Sequence, residues 1–183
     1  TQKIREIEKE LLFAEFSKKE GEVVSGIVQR VSDGNIFIDL GRVVAALPRN
    51  EQIRGEHYRI GERVKALLFL TEKGLKEVNV YLSRSHPKFL IKLFEIEVPE
   101  IMSGAVEIKA IARDPGSRSK IAVASKTKGV DPVGSLVGQR GVRVNAVINE
   151  LGGEKVDIIS WSEDPGHFVA NALSPAKVLE VEV

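Results

Sequence analysis

The chain contains no cysteine among its 183 residues. It therefore has no disulfide framework, no cysteine-based zinc site and no thiol nucleophile. No hydrophobic run approaches the roughly 18 residues of a membrane span, and no signal-peptide pattern opens the sequence. We therefore expect a cytoplasmic protein with no membrane partner. Because the chain begins with Thr1 and not with methionine, we also expect a fragment of a longer protein or a processed chain.

Catalytic and metal-binding patterns are missing as well. The three histidines, His57, His86 and His167, lie in separate segments and lack the spacing of metal ligands. The glycines between residues 134 and 141 form GxxxGxxG, which matches neither the dinucleotide-binding pattern nor the P-loop. We therefore expect a protein that is not an enzyme and that holds no cofactor and no metal.

The net charge of the chain is only +1, but the basic and acidic side chains are distributed unevenly along the sequence. Residues 113–143 contain seven basic and two acidic side chains, whereas residues 162–183 contain one basic and four acidic side chains. A local excess of positive charge matches a phosphate backbone. An ordinary solvated face would have the same composition, so charge alone leaves both interpretations open.

Residues 1–84 change their hydrophobic period from helical to alternating. Residues 3–19 predict an amphipathic helix with Ile4, Ile7 and Leu11 at helical spacing and Leu12 and Phe16 beside them. Such a helix could dock on the next domain or begin inside a domain that precedes this segment. From Glu22, five short β-rich runs are separated by turn residues. Five strands in about 65 residues predict a small closed barrel of the OB-fold type. In the second run the alternation places Ile36 and Ile38 on one face, with Phe37 and Asp39 on the other.

Residues 85–161 predict a second, α+β unit. A helix with the apolar residues Leu90, Leu93 and Phe94 runs up to Pro99 and is followed by two strands joined by the turn DPGSRS. In the first strand, the alternation places one set of residues on a single face: Val106, Ile108, Ala110 and Ala112. Asp131 and Pro132 begin a short helix, a second helix follows, and KVDIISW supplies a third strand. The order is α-β-β-α-α-β.

The tail, residues 162–183, predicts a helix in DPGHFVANALSP and a strand in KVLEVEV. No further element follows to cover them. We therefore interpret residues 162–183 as the start of a third unit.

A GxxG sequence, Gly138-Gln139-Arg140-Gly141, lies where the two paired helices meet. Glycines without Cβ atoms let a sugar-phosphate backbone approach closely, and the following helix offers unpaired N–H groups. A KH domain clamps about four nucleotides in this way. The alternative is a tight helix–helix turn, which would not need the basic surroundings.

The stretch from VPEIMSGAVEIKAIARDPGSRSKIAVAS to DPVGSLVGQRGVRVNAVINELGGEKVDII resembles the first KH domain of the NusA family of bacterial transcription termination and antitermination factors. Under this resemblance, residues 21–84 are similar to an OB-fold of the ribosomal S-one type. Residues 1–20 resemble the end of a polymerase-binding N-terminal domain, and residues 162–183 resemble the start of a second KH domain.

The resemblance implies a factor that acts in pausing, termination and antitermination and that binds nascent single-stranded RNA. RNA polymerase, contacted mainly through a part that precedes this segment, and other antitermination factors are the implied protein partners, and we expect a monomer. The candidate RNA-binding residues are Gly138, Gln139, Arg140, Gly141, Arg143, Arg118, Lys120, Lys126, Lys128, Phe37 and Arg30.

The barrel departs from the S-one pattern in two places. Gly34 stands where a second aromatic residue is expected, and Pro48 stands where a histidine is expected. Since base stacking contributes about 1–3 kcal/mol per aromatic residue, we expect residues 85–161 to supply most of the RNA affinity. Two other functions fit the same domains. One is the RNA-feeding part of an exoribonuclease assembly, and the other is a protein-interaction scaffold whose GxxG loop no longer binds RNA.

Overall fold

The computed structural model describes residues 1–173 and residue 182. The chain divides into two compact units, an N-terminal unit (Thr1–Phe89) and a C-terminal unit (Leu90–Val183). The strand predicted in KVLEVEV lies outside the described residues except at Glu182. None of the described helices is long and apolar enough to cross a membrane.

A closed five-stranded barrel forms most of the N-terminal unit, in the order β1-β2-β3-β5-β4. Its strands are β1 (Val23–Ser32), β2 (Asn35–Asp39), β3 (Val44–Leu47), β4 (Arg63–Lys73) and β5 (Val78–Ser83). Every neighbouring pair is antiparallel except β3 and β5, which are parallel. Ile36 and Ile38 point into the apolar interior, while Asp39 is exposed, as the alternation predicts. The predicted OB-type barrel is confirmed.

Helix α1 (Gln2–Ser17) precedes the barrel and packs on it through its last two turns. Phe16 is 3% exposed, and Leu12 and Phe13 pack against the same core. Ile4, Ile7 and Leu11 are 53–61% exposed. The structure has the predicted helix, and of its predicted apolar residues Leu12 and Phe16 pack on the barrel.

The C-terminal unit has the predicted order of elements. The elements are α2 (Pro87–Glu97, within which the two units divide), α3 (Pro99–Met102), β6 (Val106–Asp114), β7 (Arg118–Ser125), α4 (Pro132–Val137), α5 (Val142–Glu150), β8 (Lys155–Ser160) and α6 (Pro165–Ala172). The sheet order is β6-β7-β8, antiparallel and then parallel. This is the α-β-β-α-α-β arrangement of a type II KH domain, followed by the helix predicted in the tail.

Apolar side chains from the helices and the sheet fill the interior of this unit. Leu90, Leu93 and Phe94 are at most 5% exposed, as their helical spacing predicts. Val147 on α5 and Leu151, the C-cap residue of this helix, are buried one turn apart. The core therefore forms under the two helices that carry the GxxG sequence.

One strand departs from its predicted alternation. The pairing of β6 with β7 shifts between Ile108 and Ala110, which marks a β-bulge. A bulge adds one residue and reverses which side chains face inward beyond it. Ala110 and Ala112 are therefore exposed, and the Arg113 side chain is fully buried. Arg113 must be removed from the basic surface that its sequence position indicated.

The buried partner of Arg113 is Glu154, which lies immediately before β8. Its carboxylate accepts hydrogen bonds from Arg113 Nε at 3.1 Å and Nη2 at 3.2 Å. It also accepts from the Gly116 N–H at 2.7 Å and the Ser119 hydroxyl at 2.9 Å. Four donors thus compensate one buried charge, and they join the β6–β7 hairpin to the start of β8.

Replacing Glu154 with glutamine keeps the shape of this side chain and removes its charge. Breaking one side of a buried ion pair typically costs about 3–5 kcal/mol, because the remaining charge stays buried. We expect Glu154→Gln to lower the free energy of unfolding by that amount, measured by urea denaturation with the fluorescence of Trp161.

The matched control is Glu163→Gln, which removes an exposed carboxylate from the same unit. Its effect is expected to stay within about 0.5 kcal/mol. Equal effects of the two substitutions would contradict the structural role of Glu154.

Candidate nucleic-acid interface

The GxxG sequence forms a tight loop between α4 and α5. Gly138 has φ 76° and ψ 175°, and residues 139–141 form a single 3-10 turn. Arg140 has φ 54°, and Gly141 has φ 75°. Three of the four loop residues therefore have positive φ, which L-residues with side chains rarely adopt.

Each glycine of the loop has its own steric reason. A Cβ atom on Gly138 would lie 2.8 Å from Arg143 Cγ and 3.0 Å from Arg143 N. A Cβ atom on Gly141 would lie 3.2 Å from Asn145 Nδ2. An ordinary turn needs one such residue, whereas this loop needs two because the chain turns left-handed on both sides of Gln139 and Arg140.

The loop presents its polar groups to solvent. Gln139 and Arg140 are exposed, and within the described residues no hydrogen bond or ion pair holds either side chain. No described side chain caps the N-terminus of α5 either. The first N–H groups of a helix lack intrahelical acceptors and carry the positive end of its dipole. The loop thus combines free donors, a free cation and close backbone access.

Arg143 is the second residue of α5, and its side chain links the loop to α3 and α4. Its Nη1 donates to the Ser135 carbonyl at 2.7 Å and to Glu100 Oε2 at 2.8 Å. Hydrogen bonds from the main-chain N–H of Glu100 and from Arg143 lower the pKa of the Glu100 carboxyl, so this pair stays charged. Arg143 was predicted to bind RNA, but in the structure its side chain already links α3, α4 and α5.

The other basic residues that were predicted to bind RNA in this unit fall into two groups. Some form ion pairs or hydrogen bonds within the chain, and others are exposed to solvent. Arg118 forms an ion pair with Asp157 at 2.5 Å. Lys120 donates to the carbonyl of Ala172 at the C-terminal end of α6. Lys126 lies 3.5 Å from Glu107, but 60% of its side chain is exposed. Lys128 is exposed, and no hydrogen bond or ion pair holds it within the described part of the chain.

These placements change the predicted basic surface. Arg140, Lys126 and Lys128 remain accessible to a ligand. By contrast, ion pairs or hydrogen bonds within the chain already hold the side chains of Arg118, Lys120 and Arg143. The sequence could not show this, because each partner lies 8 to 52 residues away.

The two candidate residues of the barrel, Arg30 and Phe37, lie against each other. The Arg30 guanidinium carbon lies 4.0 Å from the centroid of the Phe37 ring. Phe37 faces outward from β2 and is paired with Ala46 on β3, which in turn is paired with Tyr81 on β5. Two aromatic side chains therefore flank a small residue, roughly 10 Å apart across three strands.

Sequence reasoning missed Tyr81 and its neighbour Phe69, whose ring centroids lie 6.4 Å apart. Alternation in β5 could have identified Tyr81, because Val80 and Leu82 on either side are buried. The cleft at this face is lined by Gln29, Arg30, Asn35, Phe37, Val44, Ala46, Pro48, Glu77, Asn79, Val80 and Tyr81. Tyr81 thus supplies the barrel face with a second aromatic side chain, which the sequence pattern lacks at Gly34.

A separate cleft opens beside the GxxG loop in the C-terminal unit. It is lined by Glu100, Val130, Asp131, Gly134, Ser135, Gly138, Gln139, Val142 and Arg143. Val142 is 64% exposed at the first turn of α5 and gives the cleft an apolar edge. A chain held at the loop would have this cleft directly beside it.

Family models match both units. An S1 RNA binding domain matches residues 17–83, and a NusA-like first KH domain matches residues 84–161. The whole chain aligns with proteins named transcription termination/antitermination protein NusA. The identity is 51% to the protein of Bacillus subtilis and 50% to that of Thermus thermophilus. The chain covers 49% and 48% of these two relatives, about half of their length.

The loop geometry predicts unequal costs for alanine at its two glycines. Gly138 has a backbone conformation that only glycine adopts freely, and its Cβ would collide with Arg143 Cγ and press on the Arg143 main-chain N. Gly141 lies in the ordinary left-handed region. We expect Gly138→Ala to cost about 3 kcal/mol and Gly141→Ala about 1 kcal/mol in unfolding free energy, measured by urea denaturation. Equal costs would contradict the described loop.

Proposed function

This chain belongs to the NusA family through its S1 RNA binding domain and its NusA-like first KH domain, and from this premise we propose that it binds single-stranded RNA. The observation that carries the proposal is the loop Gly138–Gly141. It leaves Gln139 and Arg140 without partners within the described residues, at the uncapped start of α5. A structural turn would have no need for such free groups.

We propose that the loop acts on the RNA backbone. The two glycines allow a phosphate to approach the main chain, and the N–H groups at the start of α5 donate to its oxygens. Arg140 adds a charge-assisted hydrogen bond, and Lys126 and Lys128 add long-range attraction. Contacts of this kind fix the position of the strand, while its bases turn towards the adjacent cleft.

We propose a second, weaker contact on the barrel. Phe37, covered by Arg30, and Tyr81 give two surfaces on which successive bases can stack. Stacking tolerates any base, so this face adds affinity with little sequence preference. The KH unit, residues 85–161, supplies most of the affinity because the phosphate-binding loop lies there.

At the level of the whole protein, we propose a non-enzymatic cytoplasmic factor of which this chain is a segment. Residues 1–20 would connect it to a preceding polymerase-binding domain, and residues 162–183 would open a second KH domain after the barrel (21–84) and the first KH domain. Nascent RNA, RNA polymerase and other antitermination factors are the proposed partners of a monomer that affects pausing, termination and antitermination.

Replacing both Gln139 and Arg140 with aspartate tests the clamp. Two anions would face the phosphates and the free cation would be lost, so we expect affinity for a single-stranded RNA oligomer to fall at least about 100-fold. The fold should persist, because both side chains are exposed and aspartate tolerates positive φ. Affinity is measured by fluorescence anisotropy, and stability by a thermal melt.

The control is Glu163→Gln, which changes an exposed side chain on the surface of the same unit. It should change neither affinity nor melting temperature. An unchanged affinity in the double aspartate variant, with an unchanged melt, would reject the clamp.

The barrel contact is tested by Tyr81→Leu, which keeps the apolar character and removes the stacking ring. We expect the affinity for a 12-nucleotide RNA to fall about fivefold, the lower end of a stacking contribution of roughly 1–3 kcal/mol. Leu75→Ala is the control, because Leu75 is fully exposed on the β4–β5 turn. If Tyr81→Leu binds as tightly as the control, this face does not contact RNA.

A further inference from the structure

The GxxG loop has little local support for its unusual backbone. Within the described residues, no side chain caps the start of α4, the 3-10 turn or the start of α5. Two main-chain hydrogen bonds close the turn, from the Gly138 N–H to the Gly134 carbonyl at 2.9 Å and from the Gly141 N–H to the Gly138 carbonyl at 3.2 Å. A backbone of this kind keeps one conformation only when its surroundings hold it there. A contact from outside the loop is therefore needed.

The Arg143 side chain provides such a contact. A Cβ atom on Gly138 would lie 2.8 Å from Arg143 Cγ and 3.1 Å from Arg143 Cβ, so the aliphatic stem of the arginine lies against the main chain of Gly138. At the other end of the side chain, Nη1 donates to the Ser135 carbonyl at 2.7 Å and to Glu100 Oε2 at 2.8 Å. The side chain is thus fixed both at the loop and at α3.

Glu100 lies on an element that is anchored in the core of the C-terminal unit. It is the second residue of α3, and Val98, immediately before this helix, is fully buried. The Val98 N–H donates to the carbonyl of the buried Phe94 at 2.8 Å, which joins α3 to α2. The Glu100 carboxylate therefore connects a well-packed part of the unit to the loop through Arg143.

The charge of Glu100 would, by itself, oppose the binding of RNA. Glu100 and Asp131 both line the cleft beside the loop, where a carboxylate repels the phosphates of a bound strand. Their contacts differ. Glu100 holds Arg143, whereas Asp131 is exposed and no hydrogen bond or ion pair holds its side chain within the described part of the chain. Of these two carboxylates, only Glu100 is linked to the loop.

We propose that Glu100 is a positioning residue for RNA binding, which acts through Arg143 to hold the GxxG loop in the conformation that admits a phosphate. The inference rests on the proposed RNA-binding function. A loop that is already ordered loses less conformational entropy when the strand binds, and this gain outweighs the repulsion between Glu100 and the RNA.

The exposure of the ion pair indicates where its effect falls. The side chains of Arg143 and Glu100 are 29% and 34% exposed. Ion pairs that water reaches to this extent contribute little to the stability of the whole fold. We therefore expect Glu100 to affect the loop and its RNA affinity, with little change in the melting temperature.

The alternative role for Glu100 is that of a competitor, which RNA displaces from Arg143. Removing the carboxylate would then free the arginine for a phosphate, tighten binding and make the affinity more dependent on salt. The geometry favours positioning. The same Nη1 atom also donates to the Ser135 carbonyl, so the guanidinium could not turn to a phosphate without breaking the link between α4 and α5.

Neutralising the two carboxylates of the cleft one at a time separates these roles. The affinity of the full chain for an eight-nucleotide adenylate RNA is measured by fluorescence anisotropy. We expect Glu100→Gln to weaken binding about threefold, although it removes a negative charge, and Asp131→Asn to strengthen binding about twofold. Glu163→Gln, outside the cleft, should leave the affinity unchanged. Unchanged or tighter binding by Glu100→Gln would overturn the proposal.

A second substitution tests whether Glu100 acts through Arg143. Arg143→Met keeps an aliphatic stem beside Gly138 and removes the guanidinium. In this background only the repulsion by Glu100 remains, so Glu100→Gln should now strengthen binding, as Asp131→Asn does. If Glu100→Gln weakens binding equally in both backgrounds, its effect does not pass through Arg143 and the proposal is wrong.

The order of the loop is also measured without RNA. ¹⁵N relaxation of the free chain should show lower order parameters for residues 139–141 in Glu100→Gln, with unchanged values in Asp131→Asn. Unchanged order parameters in Glu100→Gln would reject the positioning role even if its affinity falls.

The outcomes separate this inference from the proposed function. If the unsubstituted chain binds RNA and Glu100→Gln binds it equally well, RNA binding stands and the role of Glu100 is rejected. If the unsubstituted chain binds no RNA, both proposals are rejected.

Discussion

The left-handed backbone between α4 and α5 is the constraint on which the site depends. Gly138, Arg140 and Gly141 all have positive φ, and the chain can pass this point only because two of the three lack a Cβ atom. That geometry brings Arg143 under Gly138, where its guanidinium reaches Ser135 and Glu100. The same geometry leaves Gln139 and Arg140 at the tip. One backbone constraint thus separates a cation that maintains the fold from a cation that remains free for a ligand.

Charge in the C-terminal unit follows this division. Arg113 is buried against Glu154, Lys120 donates to the last turn of α6, and Arg143 joins three helices. The side chains of such cations are already ordered, so binding a ligand would cost them little conformational entropy. They are, however, less available to a phosphate group. Among the predicted cations, Arg140, Lys126 and Lys128 remain accessible. A basic composition therefore overstates the positive charge that is available to a ligand.

The sequence predicted the elements and the loop well because these depend on local spacing. Alternation in residues 35–39 and the GxxG junction needed no knowledge of distant contacts. The bulge at Lys109 could not be predicted, because nothing in the alternation of β6 marks an extra residue, and so Arg113 was placed on the wrong face. The partners of Lys120 and Arg143 are far away in the sequence. Tyr81 could have been predicted, because the apolar residues on either side of it in β5 indicate that its own side chain points outward.

Backbone amide chemical shifts test whether the RNA backbone binds at the main chain of the loop. A ¹⁵N-labelled sample of the chain is titrated with a single-stranded RNA oligomer while every assigned amide is followed. We expect the largest shifts on residues 138–143, with smaller shifts along β2 and β5 of the barrel. Saturable RNA binding that leaves the amides of residues 138–143 unchanged would contradict it.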